Sequence, residues 1–278
     1  MMKNSLKLIV VLLFALALAS CGSKSKQNGQ LTGVMNRPTW KGINPYGMVY
    51  VKSGQVHIGQ SDQDIFNTYL QTKKSVSLQG FFMDDTEITN NEYRQFVEYT
   101  RDSIAHVLMG DFYDDDYGNQ HIDWELELDC DDPTIDELFY QGDMAFGARE
   151  INTTKLIYEY KDIDIKAAAA NPKLNRKDLI KKYTVSVYPD TLCWIRDFSY
   201  SYNEPYTRNY FSHPAFDDYP VVGVSWHQAN VFCKWRTNFY NQYKSAKEMQ
   251  TEEFRLPSEV EWEYASRGGR DLAPYPWG

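Results

Sequence analysis

The sequence predicts an α+β domain, and three observations carry that prediction. Short stretches in which apolar and polar residues alternate mark strands. Three separate segments open with the same reciprocal cap and then take up a helical period. The chain is also long enough, at 278 residues with 42% hydrophobic and 15% aromatic content, to bury a sizeable core in one or two domains.

The elements follow in order. Lys3 and Lys7 flank the start of an apolar run, 8–18, that is too short to span a bilayer and has the layout of a secretory signal. It ends in "LASC", which resembles the lipobox of bacterial lipoproteins and makes Cys21 the expected lipid attachment site. Residues 1–20 are then a signal peptide, and 21–45 a lipidated N-terminus and tether, small, polar and Gly/Ser-rich in "GSKSKQNGQLTG". Gly22 and Ser23 stand where an inner-membrane retention aspartate would fall, so the expected location is the periplasmic face of the outer membrane, reached through the lipid anchor. The folded domain is expected over 46–278.

Within it, "GMVYVKSGQVHIG" alternates on both sides of Ser53 and Gly54 and predicts a hairpin turning there. In "TEITNNEYRQFVEYT", Thr89 and Glu92 form a capping box, and Tyr93, Phe96, Val97 and Thr100 share one helical face. The device returns in "PVVGVSWHQANVFCKWR", where Ser225 caps and Gln228 reciprocates. It returns again after Pro257, with Ser258 and Glu261, in a helix that Gly268 stops. That last helix carries two apolar faces, Val260 with Tyr264 and Trp262 with Ala265, and expects neighbours on both; the domain is therefore expected to be incomplete at its C-terminus.

Several chemistries are poorly served. A formal net charge of -9 argues against a nucleic-acid partner. There is no CxxC, no Cys/His metal spacing, no GxSxG and no phosphate-binding glycine loop, so no catalytic residue and no metal or other cofactor is expected. Ser225 is accounted for as a cap, and His227 beside it points elsewhere on the helix. Cys233 reads as a small buried hydrophobe. A bridge between Cys130 and Cys193 stays open in an oxidising compartment.

The blocks "GMVYVKSGQVHIGQ", "DDTEITNNEYRQFV", "YPVVGVSWHQANVFCKWR" and "FRLPSEVEWEYASRGG", closing in "YPWG", resemble in order those of the formylglycine-generating enzyme superfamily. The resemblance covers 46–100 and 218–278. It implies a C-type-lectin-like fold with little regular secondary structure for its size, continuing past "PWG" into the region that holds the copper-binding cysteines of the oxidases. None of the four cysteines here matches those, so the resemblance implies a domain that is not an enzyme.

Between the matched parts lies a long insert, 101–217. Residues 111–137 hold twelve carboxylates and no Lys or Arg. Asp114, Asp116 and Glu125 fall at EF-hand positions one, three and twelve, but glycine comes one residue early, and a solvated acidic loop is the favoured reading. "KLIYEYKDIDIK" and "YTVSVYPDTLCWIRDF" alternate as strands, with "YPDT" a turn and a short basic helical segment between them. The aromatic run 198–216 reads equally as cover for a small core or as a protein interface. For the interface the candidates are Arg196, Tyr200, Tyr202, Tyr206, Arg208 and Phe211.

With its insert and lipobox, the whole chain resembles the GldK/PorK family of lipoproteins from the type IX secretion and gliding machinery. That resemblance implies a non-enzymatic structural subunit in a homo-oligomeric ring. Its partners would be a GldN/PorN-type periplasmic protein and GldL/GldM-type inner-membrane components. A formylglycine-generating-type oxidase and a lectin-like ligand binder are the alternatives.

Overall fold

The computed structural model describes residues 45–59, 73–141, 149–196, 200, 209–244, 250–271 and 275. Cys21, with the signal and almost all of the tether, lies outside the described residues. Among the described residues, helices mix with four two-stranded antiparallel sheets.

The first two sheets form one ribbon. Strand β1 (Met48–Val51) pairs with β4 (Phe81–Asp84), and β2 (Gly54–Ile58) pairs with β3 (Lys74–Leu78). From Val51 opposite Phe81 to Gly54 opposite Leu78 both chains advance three residues, so the register carries on unchanged. The expected hairpin at Ser53 and Gly54 is therefore corrected: the chain runs straight on there. Gly54 is absent from the positive-φ positions that a two-residue hairpin turn requires. Its glycine serves close packing instead, because a Cβ would lie 2.3 Å from the Tyr264 hydroxyl.

Helix α1 (Asn90–Met109) starts at the Thr89 and Glu92 capping box and ends on Gly110 in the left-handed region. Tyr93, Phe96, Val97 and Thr100 are buried on one face, as their spacing predicts. The helix runs on past residue 101, and its last turns place Ala105 against Ile135 and Leu138 in a small second core. Beyond it, β5 (Phe112–Asp114) and β6 (Gln120–Ile122) make a hairpin.

A further ribbon joins β7 (Ile157–Ile163) to β8 (Ile180–Ser186) across two short helices, α2 (Ile165–Ala170) and α3 (Arg176–Leu179), where the basic helical segment was expected. The strand expected after "YPDT" is a second correction. Residues 193–196 form a helical turn, α4 (Cys193–Arg196), and Asp190 accepts from the Leu192 amide to start it.

Helix α5 (Trp226–Gln242) lies across α1, and their aromatic faces make the main core. The Phe96 ring is 5.1 Å from Trp235 and 5.9 Å from Phe232, and β7 adds Tyr158 at 5.3 Å. Polar groups inside this core hold irregular backbone to it. The buried Tyr93 hydroxyl donates to the Val187 carbonyl at 2.9 Å, and the Asn90 amide to that of Phe216 at 2.8 Å. Entry into α5 depends on Gly223, at φ +80, where a Cβ would strike the Asp190 carbonyl oxygen at 2.2 Å. Helix α6 (Glu259–Arg267) has the third capping box and the left-handed stop at Gly268. It packs on β2 through Tyr264.

Candidate functional site

Around α5 the structure gathers charged groups from distant parts of the chain. The Arg236 guanidinium makes a two-pronged pair with Asp84 at the end of β4, both contacts 2.9 Å, and lies 4.7 Å from the Phe254 ring centroid. At the next position of α5, Thr237 donates to the Cys233 carbonyl at 2.8 Å and accepts from the Phe254 amide at 2.9 Å. This joins β4, α5 and the segment leading to α6. Cys233 sits beside the pair, and burial pushes its thiol up to about 11, with Asp84 adding to the shift and Arg236 opposing it. Such a thiol stays protonated near neutral pH and is a poor nucleophile, in keeping with a packing role.

Next to it, an open groove of about 660 Å³ runs between β7 and α5, lined among others by Tyr158, Tyr160, Lys182, Lys234, Asn238 and Glu253. Its charges are largely matched within the chain. Lys234 pairs with Asp162, holding that carboxyl below its usual range, and its ammonium lies over the Tyr160 ring at 5.3 Å. Lys182 pairs with Glu159.

The six interface candidates divide three ways. Tyr200 is 89% exposed, and Arg196 is exposed while pairing with Asp190. Tyr202, Tyr206 and Arg208 lie outside the described residues. Phe211 does not face outward at all: it is 6% exposed and belongs to the main core, edge-on to Tyr93 and Tyr188 with Arg94 over its ring. Its neighbours Tyr210 and Phe216 pack together with Trp194 and Tyr219. For this end of the aromatic run, cover for a core is the correct alternative.

The acidic stretch uses its middle aspartate for architecture. Asp115 accepts from the amides of Tyr117 and Asn119, from the Asn119 side chain and from His121, which together close the β5–β6 loop and drive its carboxyl far below the usual range. Asp114, in β5, and Asp116 flank it, and among the described residues no three ligating side chains converge as a metal site. Other carboxylates take partners from outside the stretch: Asp111 bonds the buried His106 at 2.9 Å, Asp136 pairs with Arg149, and Glu137 with Lys155 at 3.0 Å. Cys130, Cys193 and Cys233 are free thiols in this structure. Ser225 is the α5 cap, as read, and His227 beside it is exposed.

Sequence reasoning missed the Arg236–Asp84 and Lys234–Asp162 pairs. Their partners stand 152 and 72 residues apart, and no local pattern signals such pairing.

A stretch of 61 residues is 41% identical to the inactive C-alpha-formylglycine-generating enzyme 2 of Bos taurus, covering 22% of this chain and 15% of that protein. The formylglycine-generating enzyme of Thermomonospora curvata matches at the same identity, length and coverage. That of Streptomyces coelicolor is 38% identical over 61 residues, 14% of its length. The chain thus matches only about one seventh of the length of these curated relatives. The profile of the sulfatase-modifying factor enzyme 1-like domain family, in contrast, matches residues 37–278, and to that family this chain belongs.

Proposed function

We propose that this chain is a lipid-anchored, non-enzymatic member of the family, a structural subunit of an envelope assembly of the type IX secretion and gliding kind. One observation carries the proposal. The resemblance to GldK/PorK runs from the "LASC" lipobox through residues 101–217 into the last helix block, so it includes parts that the family's general fold does not need. Two facts support it. Among the relatives is a protein named as inactive, beside others of like identity named as formylglycine-generating enzymes, so belonging to the family does not by itself imply the activity. The thiol in the matched helix block, Cys233, is half-buried beside a satisfied ion pair, and its pKa is pushed up to about 11.

In this reading the acyl chains on Cys21 hold the domain on the periplasmic face of the outer membrane, where a GldN/PorN-type protein is the expected neighbour and GldL/GldM-type components lie further off. The test is cross-linking in the native envelope with mass-spectrometric identification of neighbours, beside an assay for formylglycine in a sulfatase-type peptide with and without copper. Recovery of a GldN/PorN-type neighbour with no formylglycine above the no-protein control is expected. Formylglycine above that control overturns the reading.

A further inference from the structure

The β7–β8 ribbon ends in a tip that stands apart from the rest of the domain in composition. Residues 161–182 hold seven Lys or Arg against three Asp, in a chain whose net charge is -9. Ile165, at the start of α2, is 75% exposed, and Ile163, Leu174 and Ile180 are exposed around it. Most of the ribbon's own carboxylates are taken, Asp162 by Lys234, Asp164 by Lys181 and Glu159 by Lys182, which leaves Asp178 on α3 as the one tip carboxylate with no ion pair among the described residues. Lys166, Lys173, Arg176 and Lys177 are exposed and form no ion pair among the described residues. Exposed aliphatic side chains ringed by unmatched cations mark a surface that expects a partner with apolar contacts and negative charge.

The same chain carries a surface of that description. The stretch 111–137 has twelve carboxylates and no Lys or Arg of its own, and Tyr117, 91% exposed, stands out from it with Leu126 exposed nearby in sequence, while Trp124 and Tyr113 present one ring face each, their other faces stacked on Tyr99 and His121. Asp114, Asp116, Glu125 and Glu127 form no ion pair among the described residues, and none of the ion pairs found there joins this stretch to the ribbon tip. Two surfaces of opposite charge, each with exposed apolar side chains, thus go unmatched among the described residues.

We infer that the β7–β8 tip docks on the acidic 111–137 stretch of a second copy of this chain. The contact joins unlike surfaces, so it repeats from copy to copy and yields a ring or a filament rather than a closed twofold dimer. It deepens the scaffold reading and rests on it for the crowding of copies at one membrane, although its charges operate in solution too.

Charge reversal tests it in the full-length protein purified in detergent. One variant carries Lys166→Glu, Lys173→Glu, Arg176→Glu and Lys177→Glu; the other carries Asp114→Lys, Asp116→Lys, Glu125→Lys and Glu127→Lys. By sedimentation velocity the parent should self-associate at low salt and weaken roughly tenfold or more as added salt screens the contact. Each variant alone should associate at least roughly tenfold more weakly than the parent with an unchanged melt, and an equimolar mixture should form pairs, because the unaltered tip of one variant meets the unaltered acidic stretch of the other. A parent that is monomeric throughout, or variants that associate as the parent does, overturns the inference.

A photo-cross-linker at position 165 in the native envelope identifies the occupant. A product joined to a peptide from 111–137 supports the contact, whereas phospholipid or another protein as the sole product overturns it. Envelope cross-links with no ring partner would sink the scaffold reading while leaving self-association in solution standing, so the two failures are separable.

Discussion

Helices α1 and α6 are capped alike and packed differently. Each opens with a Ser or Thr cap, a reciprocating Glu three residues on, and each stops at a left-handed glycine. Yet α1 buries seven side chains, among them Phe96 at 0% exposure, while α6 buries none and shows Trp262 at 63%. Capping fixes where a helix begins by satisfying its first amides, a local matter settled by four residues. What a helix contributes to stability depends on the apolar surface it removes from water, which only distant partners provide.

The largest break in that comparison should come from the α1 side. Phe96→Ala removes a ring packed against Tyr93, Tyr158, Phe232 and Trp235, and a loss of about 3–5 kcal/mol is expected by urea denaturation. Gly54→Ala attacks a tight seat of α6, since the Tyr264 ring must move off β2. A loss of about 1–2 kcal/mol is expected, with faster amide exchange in 259–267 and unchanged protection in 90–109. Faster exchange in both would mean the two regions unfold together.

Glu261 sharpens the contrast through pH. Its carboxylate accepts from both prongs of Arg255 and from the Ser258 cap, and these hold it at about 2. Because the folded value lies below the unfolded one, this stabilisation is fully present above about pH 4.5 and is lost as pH falls towards 2. Glu261→Gln should cost about 1 kcal/mol at pH 7, discounted for the exposure of Arg255, and should flatten that acid-side slope in thermal melts. The smallest effect belongs to Trp262→Ala, within about 0.5 kcal/mol for the chain alone. A loss above 1 kcal/mol would show that α6 has cover on that face in solution.

Legibility follows the same division. The three helix starts were readable because a cap is written in consecutive residues, and the buried face of α1 because a 3.6-residue period survives packing. The turn at Ser53 and Gly54 was misread because a glycine that admits a neighbouring ring looks in sequence like a glycine that bends the chain. Cys193–Arg196 suits a strand by its residue types, and the local turn signal that outweighs them is Asp190, which accepts from the Leu192 amide just before the helical turn. Phe211 could not be assigned from sequence: a core aromatic and an interface aromatic are one residue type, and the partners that decide, Tyr93 and Tyr188, sit on other elements. The site around Arg236 was illegible for a related reason, since Asp84 reaches it only after the ribbon and α5 have met.

The unbroken register of the first ribbon limits how its length can change. Residues 52–53 on one chain face 79–80 on the other, two against two. A single residue inserted on either side leaves the other unmatched, and beyond it every side chain of β2 trades faces, taking Val56 out of its buried position and Gly54 out from under Tyr264. A matched insertion, one residue on each chain, restores the pairing of β2 with β3 but moves the far half of the ribbon along by one strand step, about 3.3 Å. Related chains that differ in length here should therefore differ by equal amounts on both sides, or carry a bulge where they do not.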